Sequence, residues 1–552
     1  MLLILGLDGA TLDLVEPWIA EGHLPNLARL RGAGAWGRLA STVPAATFPS
    51  WTSFMTGVNP GRHGVLDFTR RERGEYRVRF ANATYRKAPT IWRLLSDAGR
   101  RVSVLGLPGT YPPEPINGNM VSGFDTPVTT RADESFVHPP AFADEVAAAG
   151  GFPFADFQEF DIGPGWHAEA CRRLCDGIAR KVGLARRLLQ REAWDCLMLL
   201  FGESDTAAHH FWALHDAASP RHDATQAAAL GNPLRRVYMA LDAAIGELVA
   251  AAPGATVLVV SDHGFGGAGT TAVRLNRWLA QQGWLRFAPR AATARMAGRL
   301  RAAAVKLIPE SWQARCFRLG GGALASRLES GVRFGGIDWS GTRAFSEELN
   351  YFPAIWLNVQ GRDRCGTVPV RDYVARCDEL RTALLGWRNP ATGAPIVERV
   401  WHRDELYRGP HVALAPDLVL ELASPGGYSY VGVPSYGGDG AAVEALDPMT
   451  LGGKLAGMSG SHRPDGLFML HGGAVEPGHV DGAHIADMAP TVLALCGVAA
   501  PADWDGRALA ALRGEASVTT ESASAWTARE VDYDAAQAAD LQRRLELLGY
   551  LA

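Results

Sequence analysis

Seven side chains in this 552-residue chain are of types that could do chemistry together, and each sits beside an apolar run or a helical pattern. Asp8 closes "LLILGLD", Thr47 opens "TFPSWTSFMTG", and Asp205 and His209 lie in "ESDTAAHH". Asp262 and His263 follow "TVLVVS", and His462 lies in "GSHRPDG" just ahead of "GLFMLHG". Imidazole with carboxylate is a good donor set for zinc and also serves Mn or Fe. Asp205 and His209 are four residues apart, so at the start of a helix both could clasp one ion. Six ligands are too many for one tetrahedral ion that must keep an open position. They suit two ions of three ligands each, about 4 Å apart. Taken singly each has an ordinary reading: an Asp after a strand caps a helix, DHG makes a turn, Asp-x-x-x-His makes a surface pair. It is the combination that argues for a site.

Thr47 has two readings of its own. As an N-cap it would accept from the first-turn N–H groups of a helix beginning at Phe48-Pro49. As a nucleophile it would stand where a helix N-terminus stabilises an anion such as phosphate, with Phe48 to Ser50 helping to hold the phosphoryl oxygens. A threonine is not an alkoxide near neutral pH unaided. Two cations would supply that activation, one lowering the hydroxyl pKa and the other activating water and stabilising the leaving oxygen. His210 adjoins His209, but the i, i+4 spacing from Asp205 selects His209.

Strands must bring these residues to one edge. The runs 2–7, 101–107, 196–202, 256–261, 417–422 and 466–472 are apolar on both faces, as buried parallel strands are. Helical patterns at 24–34, 90–100, 234–252 and 485–497 separate several of them. This alternation predicts an α/β fold, a three-layer αβα sandwich with a mostly parallel central sheet. In such sheets ligands bind beyond the carboxyl ends of the strands. The expected boundaries are a catalytic core over 1–286 and 341–513, a helical insert or cap over 287–340, and a linker with a C-terminal helix over 514–552. The insert is rich in Arg and Ala and broken at Pro309; the terminal helix is expected to dock on the body or on a second subunit.

The bulk numbers agree. Hydrophobic residues make up 47% of the chain and the net charge is -4, so nothing points to a nucleic-acid polymer as partner. Seven scattered cysteines without a CxxC pair read as thiols of a reducing compartment. The N-terminal apolar run lacks a basic n-region and cleavage site, and no run approaches the ~20 apolar residues of a spanning helix. The expectation is a cytoplasmic protein, with homo-oligomerisation left open.

The order Asp8, Thr47, Asp205/His209, Asp262-His263, His462 resembles the alkaline phosphatase superfamily. The stretches "LGLDG", "ATFPSWTSFMTGVNPGRHGV", "ESDTAAHHF", "VVSDHGF", "GSHRPDGLFML" and "DMAPTVLALCGVAAPADWDGRAL" resemble its type I phosphodiesterase/nucleotide pyrophosphatase branch and bacterial phosphohydrolase/phosphomutase relatives. That resemblance implies one metal held by Asp205, His209 and His462, another by Asp8, Asp262 and His263, and Thr47 bridging them as nucleophile. It implies a phosphate-ester substrate, phosphodiester favoured, two divalent ions (zinc first, Mn second) and a phospho-threonine intermediate. Members that hydrolyse nucleotide diesters carry Asn where this chain has Ser50, a shorter donor. Ser50, Phe48 and, in "GRHGV", His63 are the candidate substrate contacts. The alternatives are a phosphomutase or phosphomonoesterase on the same site, and a non-catalytic metal-stabilised scaffold or sensor.

Overall fold

A computed structural model describes residues 1–72, 74–126, 134–155, 165–288, 334, 336–348, 353–435, 437–448, 457–513, 518–519, 530–533, 537–538 and 540–542. Its centre is a ten-stranded sheet. From one edge the order is Gly478–His479, Ala35–Ala40, Asp465–His471, Thr256–Val260, Leu2–Leu7, Cys196–Phe201, Val102–Leu107, Gly118–Ser122 and Val137–His138, with Ala483–His484 also paired to Ala35–Ala40. The five strands from Thr256–Val260 to Gly118–Ser122 run parallel.

Leu2–Leu7 is buried at every position because helices cover both faces of the sheet. Strand alternation sends Leu3, Leu5 and Leu7 into one core, with Leu174 and Ile178 of the Trp166–Arg191 helix and Leu241 and Ile245 of Pro233–Ala251. Leu2 and Ile4 point the other way, toward Trp51 and Phe54 of the Thr47–Thr56 helix and Val492 of Met488–Leu495. These are the three layers expected from the sequence.

Two strands depart from that expectation. The run at 417–422 is not part of the main sheet. Leu418–Leu422 joins Ala344–Phe345, Ala354–Leu357 and Val397–His402 in a separate four-stranded antiparallel sheet. That sheet packs with the Tyr373–Leu385 helix and with Trp278 and Leu279 around its own core. An apolar run reports burial, not which sheet does the burying. Asp465–His471 does enter the main sheet, but antiparallel to both neighbours.

Most of the predicted insert, 289–333 together with 335, lies outside the described residues. So do 514–517, 520–529, 534–536, 539 and 543–552 of the predicted tail. The described tail residues lie against the body of the same chain. Glu530 pairs with Arg70 and Lys87, each at 2.6 Å, and Asp532 pairs with Arg79 and Tyr85. Tyr533 stacks on Tyr111, ring centroids 5.7 Å apart, and donates to the Asp125 carbonyl at 2.9 Å. Among the described residues no helix is long and apolar enough to cross a membrane.

Candidate metal centre and active site

Asp262, Asp8 and Asp205 follow three adjacent parallel strands, Thr256–Val260, Leu2–Leu7 and Cys196–Phe201. Parallel neighbours end at the same level, so the three carboxylates arrive side by side. Gly9 makes the turn out of the first strand at φ 66°, and its N–H donates to Asp262 Oδ1 at 3.2 Å. A Cβ there would stand 2.9 Å from the Phe265 ring and 3.1 Å from Asp205 Oδ1, so a larger residue would intrude on the cluster.

Asp205 and His209 occupy the Glu203–His215 helix, His209 Nε2 lying 3.5 Å from Asp205 Oδ2. His462 belongs to Gly460–Arg463, which pairs antiparallel with Gly264–Val273 and sets His462 opposite Phe265. Its Nε2 is 3.2 Å from Asp205 Oδ1 and 3.1 Å from His209 Nε2. His263 Nε2 lies 3.5 Å from Asp8 Oδ1, 3.4 Å from Asp262 Oδ2 and 4.0 Å from Asp205 Oδ1. Two sets of donor atoms are thereby close enough to hold an ion each: Asp205, His209 and His462; and Asp8, Asp205 and His263. The second set differs from the expected Asp8, Asp262 and His263. Asp205 reaches both sets, and Asp262 stands at the flank of the second with one oxygen held by Gly9. His210 is turned away, edge-on to Trp166.

The hydrogen bonds around the cluster fit metal ligation. Nδ1 of His209, His263 and His462 faces the carbonyls of Gly460, Gly264 and Ala45 at 3.1, 3.1 and 3.0 Å. A carbonyl only accepts, so each Nδ1 carries the proton, and in the neutral ring Nε2 presents a lone pair to the cluster. Burial, then the His462 ring, pushes His263 down to about 3; burial takes His209 well below its ordinary value. These two rings are therefore neutral at physiological pH. Burial pushes Asp8 well up from the usual carboxylate range, and the charges of Asp262 and Asp205 add to it; burial likewise raises Asp262. Asp8 Oδ1 and Asp262 Oδ2 are buried without a hydrogen-bond partner. Crowded carboxylates and inward lone pairs, none of the six ligand candidates more than 4% exposed, make a place for positive charge.

Thr47 is not the N-cap that one reading of the sequence gave. The helix runs Thr47–Thr56 with Ala46 as N-cap and no side-chain cap bond, so Thr47 is its first residue. Its Oγ1 is buried and lies 3.4 Å from His263 Nε2. At this helix start Pro49 has no N–H and the Ser50 N–H donates to the Ala46 carbonyl at 3.1 Å, which leaves the Phe48 amide to offer an anion.

The other three candidates stand differently. Phe48 is packed against Phe68 and Phe124, centroids 4.5 and 6.0 Å away, so what it can offer an anion is its backbone amide. Ser50 Oγ is bonded to Ser41 Oγ at 2.8 Å and Thr42 Oγ1 at 2.9 Å, a network that braces the loop before Thr47. His63, the third, is engaged by its own turn. Its Nε2 meets Ser53 Oγ at 3.0 Å and its Nδ1 accepts from the Val65 N–H at 3.2 Å, so both nitrogens serve the turn after the helix.

Sequence reading missed Trp51, whose Nε1–H donates to Asp8 Oδ2 at 3.1 Å. Its i, i+4 relation to Thr47 was the available signal.

A family model described as type I phosphodiesterase/nucleotide pyrophosphatase matches residues 2–436. The chain belongs to the type I phosphodiesterase/nucleotide pyrophosphatase family. It is thus a hydrolase of phosphate ester bonds, and its two buried Asp/His groups are consistent with a two-metal site. Among solved structures, phosphonoacetate hydrolase from Sinorhizobium meliloti 1021 is similar in fold. With phosphonoacetate bound it gives a TM-score of 0.52 at 16% identity, covering 90% of this chain and 95% of that one. With phosphonoformate bound the TM-score is 0.53 at the same identity and coverage. Human ectonucleotide pyrophosphatase/phosphodiesterase 5 aligns over 90% of this chain and 95% of its own, at 12% identity and TM-score 0.45.

Proposed function

We propose that this family member cleaves a phosphodiester, with Thr47 as the nucleophile. The observation that carries the reading is the Thr47 hydroxyl: buried at the start of a helix and 3.4 Å from a nitrogen of one ligand group. Asp205, His209 and His462 would hold one divalent ion; Asp8, Asp262 and His263 would hold the other, with Asp205 between them. Zinc is the first candidate for this donor set and Mn the second. Two such cations, when bound, lower the pKa of a hydroxyl and neutralise charge on phosphoryl and leaving oxygens.

The residues' own part is positioning and charge, which is what phosphoryl transfer demands. Thr47 Oγ1 attacks phosphorus, the bond to the leaving oxygen breaks, and the phosphoryl group rests on Thr47 until water displaces it. The Phe48 amide would face the anionic oxygens. The near-complete burial of Thr47, His263 and Asp262 keeps bulk water from screening these interactions.

The Ser50 network favours keeping a second reading, hydrolysis or mutase transfer of a phosphomonoester. Diester-cleaving members place an Asn at this position to contact a phosphoryl oxygen, whereas Ser50 is bonded to Ser41 and Thr42. Six described cysteines are free thiols, which supports a cytoplasmic setting.

The test is a paired assay on metal-reconstituted protein. It compares kcat/KM for an aryl phosphomonoester and the matching bis-aryl phosphodiester. The diester is expected to turn over faster; monoester preference would transfer the reading to phosphatase or mutase.

A further inference from the structure

Asp8 is held at its main chain and at one of its two oxygens. Its N–H donates to the Phe201 carbonyl at 3.0 Å, and its carbonyl accepts from Ser204 Oγ at 2.6 Å. These bonds fix where the residue sits but not how its carboxylate is turned. The turn is fixed by Trp51, whose indole Nε1–H donates to Oδ2 at 3.1 Å. The opposite oxygen, Oδ1, then faces His263 Nε2 at 3.5 Å and has no hydrogen-bond partner.

Trp51 is fully buried, and the sheet makes room for it. Gly6 lies under the indole. A Cβ on Gly6 would stand 3.1 Å from Trp51 Cη2 and 2.6 Å from Leu200 Cδ1. Space-filling alone would be served by any large apolar side chain. A buried indole also needs an acceptor for its N–H, and here that acceptor is a carboxylate of the cluster. Thr47 and Trp51 are four residues apart on one helix, so the bond joins the helix carrying Thr47 to the strand end carrying Asp8.

We propose that Trp51 is a positioning residue of the metal centre: its indole N–H turns Asp8 so that Oδ1 is presented to the ion, and it ties that ligand to the Thr47 helix. The proposal rests on the two-metal reading above. In this role Trp51 acts through Asp8.

The experiment is zinc binding to the full chain by chelator competition, comparing wild type with Trp51→Phe, which keeps an aromatic ring and removes the N–H. Wild type is expected to bind two zinc ions. In Trp51→Phe one of the two affinities should fall about 10- to 100-fold, the usual effect of losing a bond to a ligand, while the other holds. Thermal unfolding of the metal-free proteins is measured in parallel. A purely structural role would lower the metal-free Tm and leave both affinities alone. Equal affinities in the two proteins overturn the proposal. Failure of wild type to bind zinc or manganese overturns the two-metal reading, and the proposal with it. If Trp51→Phe does not fold, the wild-type indole N–H spectrum replaces it, with Trp51 assigned through its contact with Phe54. Its N–H resonance must shift as the Asp8 site fills, and an unmoved resonance overturns the proposal.

Discussion

His209 and His462 present Nε2 to Nε2 at 3.1 Å, and the opposite nitrogen of each ring faces a main-chain carbonyl. Burial takes His209 well below its ordinary value, so its Nε2 lone pair faces His462 Nε2, with Asp205 Oδ1 3.2 Å from the latter. Three donor atoms so gathered suit a cation. His462→Ala should therefore leave the fold intact and lower bound metal from two ions per chain to one. Elemental analysis beside circular dichroism reads both; two ions retained in a folded variant would contradict the assignment.

Asp262 is at the flank of the second ligand set, 3.4 Å from His263 Nε2 and braced by Gly9. Asp262→Ala is expected to lose metal and activity together. Full metal occupancy with activity gone would give Asp262 a role other than ligation.

Chelation should destabilise the protein. Asp8, Asp205 and Asp262 are crowded in one buried cluster, and their mutual repulsion returns when positive charge is withdrawn. A ligand held at a hundred times its Kd stabilises by about 2.7 kcal/mol. A thermal scan with and without EDTA should show a Tm lower in EDTA and restored by excess zinc or manganese. An unchanged Tm would mean that no ion is bound before chelation.

Lys181 and Glu203 form an ion pair at 2.9 Å, both side chains no more than 3% exposed, at the start of the helix that carries Asp205 and His209. Removing one partner leaves the other charged and buried. Lys181→Met is expected to cost about 3–5 kcal/mol in urea unfolding. A loss under about 1 kcal/mol, the range of exposed pairs, would show that water reaches Glu203.

The tail contact should depend on pH. The hydrogen bond from Arg70, followed by that from Lys87, holds the Glu530 carboxyl down at about 2. A carboxyl depressed in the folded state stabilises docking above its unfolded pKa of roughly 4.3. That contribution fades as pH falls toward about 2. Limited proteolysis with pepsin should cut the tail faster at pH 2 than at pH 4 after correction for protease activity. Because the pair is partly exposed, high salt should loosen it too. Equal cutting under all these conditions would mean that the aromatic stack of Tyr533 on Tyr111 holds the tail without it.

The legible parts of the molecule follow from local pattern. Three apolar runs each leading to Asp announced the strand ends, and adjacency of those strands in the sheet gathered Asp262, Asp8 and Asp205. The Asp205/His209 pair was readable because four residues make one helical turn. Pairing of distant segments was not readable. Leu418–Leu422 looks like a strand of the main sheet until its partner, Val397–His402, is known. Trp51 looks like core until its indole meets Asp8, forty-three positions away. Nothing local shows either that Ser50 meets Ser41 and Thr42, or that His63 meets Ser53 and Val65.

Thr47→Ala separates a nucleophile from a structural threonine between the two candidate ion sites, and so tests the role proposed for Thr47. Turnover of a bis-aryl phosphodiester and metal content are measured on the same preparation. Two ions per chain are expected, with a Tm near wild type and turnover lower by about 10⁴-fold or more, the scale on which loss of a covalent nucleophile acts. Turnover within about tenfold of wild type, with both ions bound, would contradict it.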